Sequence, residues 1–245
     1  MTGLPAPQDV QAAFAWVLVD EWQRDGVTDA VVCPGSRSTP LLIALAEAAE
    51  HGGIRLHVLL DERSAGFFAL GLGLALGAPA PVVTTSGTAA AELHPAVLEA
   101  HHAGVPMLAV TADRPPELHD CGAPQSINQE GLFGDAVRWE VSPGVPDLAA
   151  AWSWRSLASR AVIEACGGAR RAGPVHLNLA FREPLVGRAG AVLSGPSDVQ
   201  LENAVKLAMG SGVAFGGDRV LREVVSGRPG GAPWHHRRNA VEKAP

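Results

Sequence analysis

Residues 29–50 read DAVVCPGSRSTPLLIALAEAAE. The first five form a short apolar, β-branched run of the length of a buried strand. PGSRS, at 34–38, is polar and rich in turn formers, so the run ends there. Pro40 then opens an Ala/Leu segment of helical length, with serines placed where they can cap it. Strand, polar turn and helix together make the first part of a βαβ unit. The same pattern recurs downstream. Strand-like runs fall at 56–60, 82–85, 107–111, 136–141 and 175–179, and helical patterns at 62–76, 89–103 and 148–166. Upstream, 11–24 spaces Phe14, Val17, Leu18 and Trp22 along one face of an opening amphipathic helix. The strands are apolar on both faces, as a sheet covered by helices on each side requires. The expected fold is therefore α/β, a doubly wound parallel sheet flanked by helices.

The chain has 245 residues, of which 47% are hydrophobic, enough for one core and a smaller appendage. Only 18% are charged and the net charge is −6, which argues against a nucleic-acid or anionic-membrane partner. The cysteines are three in number, with no C-x-x-C spacing. That count argues against a disulfide framework or structural zinc and fits a reducing, cytoplasmic setting. No basic segment followed by an apolar run opens the chain, so no signal peptide is expected. The longest apolar stretch, 67–81, is interrupted by Gly71, Gly73 and Gly77 and is too short to cross a bilayer. The composition shifts after Val186. The main domain is placed at 1–186, and 187–245 is a poorly specified C-terminal extension, a fragment of a further domain or a flexible tail. It holds an amphipathic segment near 201–209 and ends GRPGGAPWHHRRNAVEKAP, expected as a flexible tail.

In a parallel sheet, the turns that follow the strands' carboxyl ends share one rim, where doubly wound folds bind ligands. Four such turns here are polar: 34–38, Asp61-Glu62-Arg63-Ser64, 84–88 and Asp113-Arg114-Pro115, with a polar loop at 121–129 after the last. Each has a plain structural reading as a helix cap, a tight turn or a loop ion pair. Taken together on one rim they predict a site. His94, His101 and His102 lack the i, i+4 pair of a helical metal site, so a surface role is favoured over zinc. Cys121 has no evident base beside it, and Cys33 ends a strand and is assigned to the core.

VVCPGSRSTPLLIALAE, DERSAGFFALGLGLA, TTSGTAAAELHPAVLEA and VPMLAVTADRPPEL with CGAPQSINQ, in that order, resemble one family over about residues 10–186. It is the menaquinone-pathway 2-succinyl-5-enolpyruvyl-6-hydroxy-3-cyclohexene-1-carboxylate synthase family of thiamine-diphosphate enzymes, and the likeness is to its N-terminal pyrimidine-binding domain. The resemblance implies that Glu62 hydrogen-bonds a ring nitrogen of the cofactor's aminopyrimidine and so activates it. It implies that Thr85, Ser86 and Gly87 form the turn near the pyrimidine, and that Gln125 lies close to cofactor and substrate. Ser36, Arg37 and Arg114 match residues that engage the carboxylates of 2-oxoglutarate and isochorismate, a task suited to the guanidinium fork. At one position, Pro124, the family has Asn.

The family's thiamine diphosphate is held through Mg2+ by a separate diphosphate-binding domain. The nearest candidate here, Gly217-Asp218 with Asn239 downstream, has no βαβ unit around it and is rejected, so no metal ligand is assigned in this chain. The implied partners are the two small-molecule substrates and either further copies of the chain or a diphosphate-domain partner. The implied function is the pyrimidine-binding portion of the synthase, truncated or split and inactive alone. The alternative is a non-catalytic binding or docking module derived from it.

Overall fold

The computed structural model describes residues 6–168, 170–187 and 226–235. In chain order the main elements are α1 (Pro7–Arg24), β1 (Asp29–Val32), α2 (Thr39–Glu50), β2 (Arg55–Val58), α3 (Glu62–Leu76) and β3 (Ala80–Thr84). They continue with the short α4 (Thr88–Ala91), α5 (His94–Ala103), β4 (Met107–Asp113), β5 (Glu140–Val141), α6 (Trp154–Ala165) and β6 (Pro174–Ala180). The strands form one sheet in the order β2-β1-β3-β4-β6-β5, and every pairing is parallel.

Side-chain alternation along the strands explains the two helical layers. Val32, Val83, Leu108, Val110, Leu177 and Leu179 pack with Phe14, Leu18, Trp22, Leu41, Leu45 and Val162 of α1, α2 and α6. Their neighbours Val31, Val82, Met107 and Ala109 point the other way, toward Ala65 and Ala69 of α3, Ala96 and Val97 of α5, and Leu93 just before α5. Small residues set that second layer close to the sheet. A Cβ on Gly66 would stand 2.9 Å from the Ala96 Cβ, and one on Gly73 would stand 2.4 Å from the Pro106 carbonyl oxygen. Gly73 therefore serves packing within the domain.

Some boundaries depart from the sequence reading. The helix expected over 89–103 is broken into α4 and α5. Pro95 lacks an N–H, and its ring would meet the carbonyl four residues earlier, so the chain restarts its helix at His94. The strand expected over 136–141 shrinks to Glu140–Val141, behind a 3-10 turn at Gly134–Ala136. The helix expected over 148–166 begins as a 3-10 turn and becomes α-helical only at Trp154.

Part of the expected tail, 226–235, is among the described residues. Residues 226–235 lie against α1 and α6. Arg24 donates to the Arg228 carbonyl at 3.2 Å, the His235 amide donates to Ser159 Oγ at 3.0 Å, and the Trp234 amide donates to the Glu21 carboxylate. Gly/Pro-rich composition removed periodicity, yet main-chain groups suffice for these contacts. The amphipathic segment near 201–209, Gly217-Asp218 and Asn239 lie outside the described residues.

Candidate functional site

β1 neighbours β2 on one side and β3 on the other, so the winding reverses between β1 and β3. A crevice opens beyond the strand ends at such a point. The turns there are PGSRS after β1 and TTSGT after β3, and they touch: a Cβ on Gly35 would stand 2.4 Å from the Thr85 Cβ. Only glycine permits this approach. Ser36 is exposed and opens a 3-10 turn, Ser36–Ser38. Arg37, 8% exposed, folds inward and donates from Nη1 to the Phe181 carbonyl at 3.0 Å, while Nη2 stands 3.3 Å from the Glu183 carboxylate. Its buried Nε has no hydrogen-bond partner among the described residues.

Glu62 is the first residue of α3, half-buried, at the positive end of the helix dipole. Asp61 caps the same helix by accepting from the Ser64 amide at 2.7 Å, so the plain capping role holds beside any other. Glu62 faces the end of β1. The Cys33 thiol there is pushed up to about 12, first by burial and then by the charges of Glu62 and Asp61. The Glu62 carboxylate has no hydrogen-bond or ion-pair partner among the described residues. Ala65 and Gly66 are buried behind it, but Phe67 and Phe68 are 40% and 42% exposed and Leu60 is 88% exposed. The helix start therefore does not by itself keep water from this carboxylate.

On the other side of the crevice the turn after β3 and the loop at 121–129 are joined reciprocally. Ser86 Oγ donates to the Gln125 carbonyl at 3.0 Å, and Gln125 Nε2 donates to the Ser86 carbonyl at 3.0 Å. The Gly87 amide donates to Gln129 Oε1 at 2.8 Å. Gly87 has φ 82, and Gln125, a non-glycine, has φ 58. A Gly87→Ala substitution meets both an unfavourable φ and the Gln125 Cγ at 2.8 Å. It is expected to destabilise the domain by about 1–3 kcal/mol, checked by urea unfolding.

Arg114 reaches the same place from β4. Its guanidinium donates to Ser86 Oγ and, from Nη2, to the Pro124 carbonyl at 2.9 Å. Pro124 thus contributes a main-chain oxygen, which any residue there would also supply. Burial lowers the Arg114 pKa, and repulsion from Arg37 lowers it further. Two guanidiniums within electrostatic reach of each other at a crevice favour an anionic ligand.

The segment after β6 is fixed from both sides. Gln11 of α1 donates to the Arg182 carbonyl at 2.8 Å, and Arg182 Nη2 donates to Glu117 at 2.8 Å. The Arg182 hydrogen bond holds the Glu117 carboxyl down to about 2. Because its pKa is depressed on folding, this pairing is intact above the ordinary carboxylate range and is lost as pH falls toward about 2. Arg182→Gln is expected to return the Glu117 titration upward toward that range, read by carbon NMR, with little change in stability since the pair is exposed.

The crevice thus gathers Ser36, Arg37, Glu62, Thr85, Ser86, Gly87, Arg114 and Gln125. Behind the crevice, and buried, stand Asp113 of the turn already marked and two residues to which the sequence reading gave no role, Gln129 and Asn178. Gln129 lay in the polar loop already marked. Asn178 is a lone amide within the apolar PVHLNLA strand, which was the available signal. Two of the histidines marked in the sequence lie elsewhere, whereas His119 Nε2 stands 2.9 Å from the Arg114 carbonyl oxygen. His101 and His102 line a cavity of about 400 Å³ with Arg138, Arg170 and Arg171, at the opposite edge of the sheet. Among the described residues, no group of His, Cys, Asp and Glu could hold a metal ion.

Residues 13–132 match the family described as thiamine pyrophosphate enzyme, N-terminal TPP binding domain. Curated relatives named 2-succinyl-5-enolpyruvyl-6-hydroxy-3-cyclohexene-1-carboxylate synthase are similar over most of the chain. The Thermobifida fusca protein is 56% identical over 180 residues, covering 73% of this chain and 32% of the relative. The Chloroflexus aurantiacus protein is 51% identical over 214 residues, covering 84% and 35%. The Bacillus velezensis protein is 54% identical over 171 residues, covering 69% and 29%. The chain spans about a third of the length of the curated relatives it matches. With its all-parallel sheet and its crevice at the β1/β3 reversal, the chain carries over residues 13–132 the N-terminal TPP binding domain of thiamine pyrophosphate enzymes, and it is similar to the 2-succinyl-5-enolpyruvyl-6-hydroxy-3-cyclohexene-1-carboxylate synthases.

Proposed function

We propose that residues 1–186 bind the pyrimidine of thiamine diphosphate in a synthase that decarboxylates 2-oxoglutarate and adds the succinyl unit to isochorismate. The observation that carries this reading is the half-buried, unpartnered Glu62 carboxylate at the crevice where the turns after β1, β3 and β4 converge. Bound thiamine diphosphate supplies a nucleophilic carbon once its thiazolium loses a proton. Glu62 holds a proton against a ring nitrogen of the pyrimidine, which favours the tautomer that takes up the thiazolium proton. The turn of Thr85, Ser86 and Gly87 lets backbone approach the ring, with Gln125 beside it. Ser36, Arg37 and Arg114 orient the substrate carboxylates. The described residues suit the pyrimidine half of the cofactor and offer no ligand set for Mg2+, which a diphosphate-binding domain would hold.

Glu62 needs shielding that this domain lacks. Leu60, Phe67 and Phe68 are exposed around it, which suits a second domain or subunit closing the site. Alone, the polypeptide is inactive; as the second reading, the same exposed face suits a docking module without chemistry. Cys33, Cys121 and Cys166 form no disulfide among the described residues, which fits a reducing cytoplasm. No helix among the described residues is long and apolar enough to cross a membrane. The test is turnover of 2-oxoglutarate and isochorismate by the purified chain, with and without a diphosphate-binding partner. Turnover only with the partner supports the catalytic reading. Turnover without it contradicts the reading of inactivity, and binding of the partner without turnover favours docking.

A further inference from the structure

The β4 and β6 strands carry a chain of buried polar side chains in an otherwise apolar layer. Asn178, 3% exposed, stands at its centre. Its Oδ1 accepts from Gln129 Nε2 at 2.8 Å and from the Thr111 hydroxyl at 2.9 Å, and its Nδ2 donates to Asp113 Oδ2 at 2.8 Å. The neighbours fix this orientation, because a flipped amide would set NH2 against NH2 and oxygen against carboxylate. Thr111 has one proton, and it goes to Asn178. The His176 Nε2 at 2.8 Å is therefore the donor to the Thr111 oxygen.

From this centre two arms reach the crevice. Gln129, 1% exposed, receives the Gly87 amide on Oε1 at 2.8 Å and gives its remaining proton to the Ala112 carbonyl at 3.1 Å. Asp113, 2% exposed, receives the Arg114 amide on Oδ1 at 2.7 Å. One side chain of β6 thus stands two hydrogen bonds from the turn after β3 and two from the turn after β4. Buried networks of this kind are stiff, since any member left unpaired costs its full desolvation.

We infer that Asn178 is a positioning residue, coupling the Gly87 turn to the Arg114 turn through Gln129 and Asp113, so that cofactor ring and substrate carboxylate are held in one frame. The functional meaning rests on the reading proposed above, whereas the coupling itself rests only on the distances. Asn178 touches neither ligand and acts through its two arms.

The test uses the full chain, isotopically labelled, in three forms: wild type, Asn178→Leu and Gln129→Ala. In Asn178→Leu, of similar volume, the amide resonances of Gly87 and Arg114 should shift together while those of Ala30 and Val31 stay in place. In Gln129→Ala the Gly87 resonance, which loses its acceptor directly, should shift more than that of Arg114. General loosening of the fold would not produce this selective pattern. Gln129 lies in a loop, so its variant decides the Gly87 arm if Asn178→Leu does not fold. A folded Asn178→Leu protein with either resonance unmoved overturns the coupling, as does an unmoved Gly87 in Gln129→Ala. Thiamine is then titrated into each form, and Asn178→Leu should bind it about tenfold more weakly. The resonances are read without ligand. Failure of the wild type to take up thiamine therefore counts against the cofactor reading alone.

Discussion

Glu62→Gln is expected to slow exchange of the thiazolium proton by about a hundredfold to ten-thousandfold in any assembly where this chain meets thiamine diphosphate. Glutamine keeps the shape of the side chain but cannot hold an acidic proton against the pyrimidine nitrogen. The fold should be indifferent, because the carboxylate is half-buried and has no partner to lose among the described residues. The same variant carries an internal check on geometry. The Cys33 thiol is pushed up to about 12 by burial and, next, by the Glu62 charge, so removing that charge should bring the thiol pKa down. Deuterium exchange reads the first effect and a thiol titration the second. Unchanged exchange with a shifted thiol would place Glu62 correctly and deny its role.

The largest effect on stability is expected at the other face of the sheet. Arg155 of α6 is fully buried, 2.7 Å from Glu21 and 2.6 Å from Asp20 of α1. Glu21 is itself buried and also receives the Trp234 amide. Arg155→Met fills the space but leaves the Glu21 charge without its counter-ion. Breaking such a pair from one side costs about 3–5 kcal/mol. For a domain of this size the melting temperature should fall on the order of 10 °C. Adding Glu21→Gln should recover part of the loss, because the uncompensated charge is the cause. Guanidinium unfolding followed by tryptophan fluorescence measures both variants. Equal losses in the single and double variants would mean that packing, and not charge, sets the cost.

The order of strands and helices could be read from 29–50 and its recurrences because a buried parallel strand and a helix have different apolar periods. The rim residues were legible for a related reason: Ser36, Arg37, Glu62 and Arg114 interrupt apolar runs just where strands end. What escaped depends on contacts far apart in the chain. Arg37 finds its acceptor at Phe181, and the 226–235 segment finds α1 through main-chain groups that no side-chain pattern announces. Asn178 and Gln129 were hidden differently. Asn178 is a lone amide in an apolar strand and Gln129 one of several polar residues in its loop, and the importance of each comes from what lies across the sheet. Helical phase around the buried Ala65-Gly66 pair turns Phe67 and Phe68 outward, so apolar residues next to Glu62 in sequence do not cover it.

The central claim is that turns distant in sequence present Glu62 to an aminopyrimidine at the β1/β3 reversal. Titrating thiamine into the labelled chain, and following every backbone amide, tests it most directly. The account predicts perturbations concentrated at 62–66, 85–87 and 125, weakened in Glu62→Gln. Perturbations gathered instead around His101, Arg138 and Arg171, or equal in the wild type and the variant, would contradict it.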